Sequence, residues 1–142
     1  MSLGSGGRTP LAGALLGTAV GDAVGLRFEN LPARRVERRL RDGLVPRFVG
    51  GRCPPSDDTA HAFATVQALL ESTDPDGFAD ALSRRLRWWL LTLPAGIGFA
   101  TLRALTKSWL GFAPSRSGVA SAGNGPLMRA PVQWWPRSVW MR

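Results

Sequence analysis

The chain has 142 residues, enough for one domain with a real core, and its 44% apolar content and mean hydropathy of −0.03 suit a soluble globular protein rather than a disordered one. Eighteen Lys and Arg against ten Asp and Glu give a net charge of +8 and a pI near 11.6, a balance that attracts nucleic acid, an anionic membrane surface or a phosphorylated small molecule, unless the arginines lie on solvated faces. A single cysteine, Cys53, excludes an internal disulfide and any cysteine-cluster zinc site.

Residues 1–9 hold Gly, Ser, Arg and Thr with no apolar period and read as a loose leader. A first helix is expected from Pro10, a residue suited to the first helical position. Gly13, Gly17, Gly21 and Gly25 recur at spacing four, along one ridge of that helix. Each weakens it by roughly 1 kcal/mol relative to Ala, so another helix or a ligand is expected to approach the bare ridge closely. A membrane dimer built on small residues at that spacing is the alternative, and Asp22 opposes it. The same carboxylate interrupts the apolar run 10–26, and Arg8 is the only basic residue before it. Neither a secretory signal nor a membrane span is therefore expected, and a cytoplasmic location follows. Asp22 lies within a turn of Thr18 and Gly25; a lone carboxylate in an apolar helix is paired or faces a ligand, because burying it alone is costly. Glu29 comes four residues after Gly25, where the helix should end, and could equally pair with Arg34 or Arg35.

Residues 34–42 read as a short basic helix with Val36 and Leu40 on one side, ended by Gly43. A loop with Gly50-Gly51 and Pro54-Pro55 then delivers Ser56-Asp57-Asp58-Thr59 to a helix over 59–72, where Phe63, Val66, Gln67 and Leu70 keep helical spacing. Ser and Asp are favoured capping residues, so an ordinary helix start is one reading of this segment. The other is a hard cation such as Mg²⁺ or Mn²⁺, which accepts carboxylate, hydroxyl and backbone oxygens in a single turn. His61, one turn beyond Asp57, is either a packed side chain or one that faces a metal or substrate. A helix over 76–93 is expected to bury Phe78, Leu82, Leu86, Trp89, Leu90 and Leu93 and to turn Arg84, Arg85 and Arg87 outward. Pro94-Ala95-Gly96 breaks it, and a further helix over 97–110 places Leu102, Leu105 and Trp109 on one face. Residues 115–125 form a small-residue loop ending in Gly-Asn-Gly, which is a turn or a backbone cradle for phosphate or ribose. With no strand pattern and no repeat, the fold class is all-α.

Taken in order, three stretches resemble the ADP-ribosylglycohydrolase family: Gly13 to Gly25 with Glu29 following, Ser56-Asp57-Asp58-Thr59, and Gly123-Asn124-Gly125-Pro126-Leu127-Met128-Arg129. The likeness runs from about Leu11 to Pro131. It implies a compact helical bundle that hydrolyses the glycosidic bond between ADP-ribose and its acceptor with a Mg²⁺ or Mn²⁺ pair. Ser56, Asp57 and Asp58 would be the first metal half-site, and Glu29 would be catalytic beside the metals and the scissile bond. Asp22 would shape the site, and Gly123, Asn124, Gly125 and Met128 would contact the diphosphate or ribose. The sequence also departs from the family. Gly96 stands where some members carry an extra active-site aspartate. No carboxylate side chain follows Asp80, so the second Asp-x-Asp-Thr metal motif of longer relatives is missing, and 132–142 form an atypical Trp- and Arg-bearing tail. The expectation is thus the N-terminal portion of such a domain, with at most a partial metal site and impaired hydrolysis. A non-catalytic ADP-ribose-binding fragment and a basic nucleic-acid-binding protein are the alternatives, nucleic acid being the weaker.

Overall fold

The computed structural model describes residues 8–41, 43–44, 56–94, 97–120 and 127–129. Among these residues the secondary structure is helical, with no strand, as expected. Helix α1 spans Arg8–Gly25 and continues into a 3-10 turn at Leu26–Phe28; α2 spans Ala33–Leu40. Helix α3 spans Asp57–Glu71, α4 Pro75–Leu90, α5 Phe99–Trp109 and α6 Pro114–Ser117, and a last 3-10 turn covers Leu127–Arg129.

Helix α3 is the axis of the molecule, packing on α1, on α4 and on the Leu127–Arg129 turn, while α5 packs on α4. Short tight connections make α3 and α4 neighbours. Ser72 and Thr73 lead to Asp74, whose carboxylate accepts from Gly77 N (2.9 Å) and caps α4, with Pro75 at the first helical position. Gly77 keeps this turn close, because a Cβ there would crowd Ser72, whose side chain would have to turn away. Arg84 and Arg85 of α4 reach back to Glu71 of α3, the second pair at 2.8 Å, and Arg85 also donates to Gln67 Oε1 at 2.9 Å. These pairs are largely solvated and set orientation more than stability.

The apolar core lies between α3, α4 and α5, where Ala64, Ala68, Ala81, Leu82, Leu86 and Leu105 are buried and Phe78, Trp89, Leu90 and Ile97 pack against them. A smaller cluster joins α3 to α1 through buried Ala62 and Val66, with Leu11, Leu15 and Leu69 partly covered.

Several expectations need correction. Helix α1 starts at Arg8, so the expected leader loses its last two residues to the helix. Among the described residues no helix approaches the glycine ridge: a Cβ at Gly13, Gly17, Gly21 or Gly25 would find no heavy atom within 4 Å. Of the spaced set on α3 only Val66 is buried, while Phe63 and Leu70 are exposed; α3 meets its neighbours through Ala62, Ala64, Val66 and Ala68 instead. Helix α4 stops at Leu90, and Leu93 lies beyond it at φ +52, 88% exposed. Leu102 and Trp109 of α5 are exposed too, so only Leu105 of the expected face enters the core. Arg87 is not simply outward, since its guanidinium donates to Ser108 O and lies over the Trp109 ring. In α2, Arg39 donates to the Arg27 carbonyl, whereas Arg34, Arg35, Arg38 and Arg41 stay on the solvated face.

By length and composition Leu11–Phe28 is apolar enough to cross a membrane, and 6% of that window is buried. The buried residue is Asp22, and one oxygen of its carboxylate bonds the start of α3, as described next. Cys53, the loop of 45–55, Gly96, Gly123, Asn124, Gly125 and the tail of 132–142 lie outside the described residues.

Candidate active site

The Ser-Asp-Asp-Thr segment is held from two directions. Within the segment, Ser56 Oγ accepts from Asp58 N at 3.3 Å, the N-cap that its sequence offers. From across the fold, Asp22 Oδ2 accepts from Ser56 N (2.9 Å), from Thr59 N (3.2 Å) and from the Thr59 hydroxyl. One oxygen of an α1 carboxylate therefore takes up two orphan N–H groups at the start of α3. The favourable end of the helix dipole stabilises its negative charge there. Asp22 is 7% exposed, and its other oxygen, Oδ1, is buried without a partner among the described residues. Thr18, the nearest hydroxyl in sequence, instead bonds Ala14 O within its own helix.

This pinning sets Asp57 and Asp58 at the mouth of a cleft of about 980 Å³, within the size range that takes a nucleotide-scale ligand. Glu29 and Asn30 form the adjoining rim. Asn30 takes φ +55, a left-handed turn that Asn tolerates, and the chain reverses there just past Glu29. Glu29 makes no ion pair with Arg34 or Arg35 among the described residues. Opposite the acids, α4 and α5 supply an apolar wall that includes Phe78, Leu82, Leu86, Phe99 and Leu105. His61, Met128 and Arg129 also line the cleft.

The electrostatics follow from this crowding. Partial loss of water raises the Glu29 pKa, and the charges of Asp57, Asp58 and Asp22 raise it further. Asp58 is raised in the same way, by burial first and then by Asp57 and Asp22. A cation would relieve that repulsion, and carboxylate oxygens are the donors that Mg²⁺ or Mn²⁺ prefers. The donor chemistry fits one side of a hard-cation site at Asp57 and Asp58. No group of three His, Cys, Asp or Glu side chains gathers in metal-holding fashion among the described residues. Ser56, expected as a third ligand, spends its hydroxyl as an acceptor in the cap.

His61 is buried at 1% exposure with its ring edge-to-face against Trp89, centroids 4.7 Å apart. Burial, and then the positive charge of Arg129, lower its pKa to about 4, so it is neutral at physiological pH. Arg129 is itself partly buried, which lowers its own pKa. Of the expected substrate-binding set, only Met128 falls among the described residues, in the turn that packs on α3. Two residues of the site had no role assigned from sequence. Thr59 ties Asp22 to α3, and Arg129 lines the cleft; both stood inside the quoted motifs, but their roles depend on partners far away in the chain.

An all-helical protein with a carboxylate-rimmed cleft at a pinned helix N-terminus is the class that these observations define. The sequence profile of the ADP-ribosylglycohydrolase family matches residues 8–138, and the chain belongs to that family. An uncharacterised protein of Archaeoglobus fulgidus is 32% identical over 125 residues, covering 83% of this chain and 40% of that relative. The chain thus spans about 40% of the length of the curated relative it matches. No solved structure matches it.

Proposed function

We propose that this chain forms the acid-bearing side of an ADP-ribosylglycohydrolase site, binding ADP-ribose or an ADP-ribosylated acceptor in the cleft. The observation that carries the reading is the gathering of Glu29, Asp57 and Asp58 at one rim of the cleft that Met128 and Arg129 also line. Asp57 and Asp58 would hold Mg²⁺ or Mn²⁺, which when bound would orient ribose hydroxyls and water near the anomeric carbon. Asp22 keeps the pair in place by fixing the first turn of α3. Glu29 holds its proton more tightly than an ordinary carboxyl and would assist proton movement as the bond breaks through an oxocarbenium-like state. The apolar wall opposite would exclude water from the reacting sugar.

Hydrolysis by a metal pair needs ligands from both sides. Asp57 and Asp58 supply ligands on one side of the cleft, and ADP-ribose binding without turnover is the second reading. Turnover separates the two. Calorimetry with Mg²⁺ or Mn²⁺ and ADP-ribose should give saturable binding to the chain. In any preparation that cleaves an ADP-ribosylated acceptor, Asp57→Ala or Asp58→Ala should abolish metal-dependent turnover, and unchanged activity in either variant would sink the assignment. Saturable binding with no cleavage would select the second reading.

A further inference from the structure

His61 is the residue of the cleft whose chemistry the function above leaves unused. It follows Asp57 by one helical turn, so both leave α3 on the same face, roughly 6 Å apart along the axis. Trp89 meets its ring at 85° and fixes the ring plane. Neither Nδ1 nor Nε2 has a hydrogen-bond partner among the described residues, although the side chain is buried. Leaving buried polar atoms unpaired is costly, a penalty that an apolar side chain packed on Trp89 would not carry. Two orphaned nitrogens in the wall of a cleft are what a ligand-reading residue presents before its ligand arrives.

The kind of ligand group follows from the neighbours. A neutral imidazole offers one N–H donor and one lone pair. A phosphate could use only the donor, and it would meet the like charges of Asp57 and Asp58 a turn away. A cation could use only the lone pair, and Asp57 and Asp58 are harder, charged donors for Mg²⁺ or Mn²⁺. A hydroxyl satisfies either nitrogen, as donor or acceptor, in either tautomer.

We propose that His61 exchanges a hydrogen bond with a hydroxyl of the ribose that lies beside Asp57, and so selects nucleotides carrying that terminal sugar. The inference rests on the ADP-ribose reading of the cleft. Calorimetric titration with ADP-ribose and with ADP, which lacks the terminal ribose, tests it on wild type, His61→Phe and His61→Gln in the presence of Mg²⁺. His61→Phe should lower ADP-ribose affinity about tenfold and leave ADP affinity unchanged, a loss the size of one hydrogen bond. His61→Gln, which keeps a donor and an acceptor, should retain the preference for ADP-ribose.

Equal loss of both ligands in His61→Phe would make the residue a packing element and overturn the proposal. Unchanged ADP-ribose affinity in that variant would overturn it while leaving the cleft assignment intact. Wild type binding neither ligand would overturn the cleft assignment and this inference together. If His61→Phe fails to fold, ¹⁵N spectra of wild-type His61 decide the matter. One ring nitrogen should shift on adding ADP-ribose and not on adding ADP, and an equal response to both would overturn the proposal.

Discussion

Toward α4 and α5, helix α3 lays Ala64 and Ala68 against Ala81, Leu82, Leu86 and Leu105, and four more apolar side chains close over them. Toward α1 it buries only Ala62 and Val66, with three partly covered leucines, while Leu16 and Val20 of α1 stay exposed. What α1 lacks in apolar contact it makes up in one carboxylate that takes three hydrogen bonds from the start of α3. The two sides of α3 therefore obey different physics. Non-directional burial holds one side, and the other depends on a directional polar pin that fails if a single atom is lost. The acids of the candidate site sit at the pinned end, so their placement follows the pin more than the core.

Truncations should expose that asymmetry. Leu86→Ala should cost about 3–4 kcal/mol in a denaturant titration, because it empties a packed position between α3 and α5. Leu15→Ala, on the α1 side, should cost about 1 kcal/mol, in line with its partial burial. Equal costs would erase the contrast between the two sides. Asp22→Ala strips the acceptor from Ser56 N, Thr59 N and the Thr59 hydroxyl, and should cost about 2–3 kcal/mol by the same measurement. It should also lower cation affinity at Asp57 and Asp58, whereas Leu15→Ala should leave that affinity alone.

A smaller effect is expected from pH, through His61 on the α4 side. Its pKa is about 4 in the fold against 6.5 ordinarily, so the unfolded chain binds this proton more tightly. Stability is full above pH 6.5, falls as pH drops below that value and reaches its lowest contribution below pH 4. Between pH 7.5 and 5 the loss should be about 2 kcal/mol. Comparing wild type with His61→Phe isolates it, because Glu29 and Asp58, whose folded pKa values are raised, gain stability as pH falls and oppose the trend in both proteins. A difference between the two proteins that does not change with pH would remove His61 from the account.

The smallest effect tests the open ridge. Gly17 is helical with nothing within 4 Å of a would-be Cβ, so Gly17→Ala should stabilise the chain by about 0.5–1 kcal/mol. A destabilisation would mean that something does approach the ridge in solution, and would restore the expectation drawn from the glycine spacing.

Much of the fold was legible in the residues. Helices α3, α4 and α5 appear within three residues of their expected starts and ends, because caps such as Ser56 and breaks such as Pro94 act on the local backbone wherever they occur. Leu82, Leu86 and Leu105 were recognisable as core from spacing alone. Phe63, Leu70, Leu93, Leu102 and Trp109 kept the same spacing and yet are exposed. Period records which residues share a helix face, whereas burial depends on how many neighbours grip the helix.

Local chemistry by itself determined where the helices lie, that Ser56 caps α3, and that Asp57 and Asp58 stand together at a helix start, since each follows from residues within one turn of the other. Tertiary structure alone decided that Asp22 reaches across 34 positions to hold Ser56, that Glu29 joins the acid rim, and that His61 is sealed against Trp89 with both nitrogens unpaired. A carboxylate or an imidazole carries no sequence mark of its distant partner, and the approach of α1, α4 and the Leu127–Arg129 turn to α3 supplies the partner only when the chain is folded.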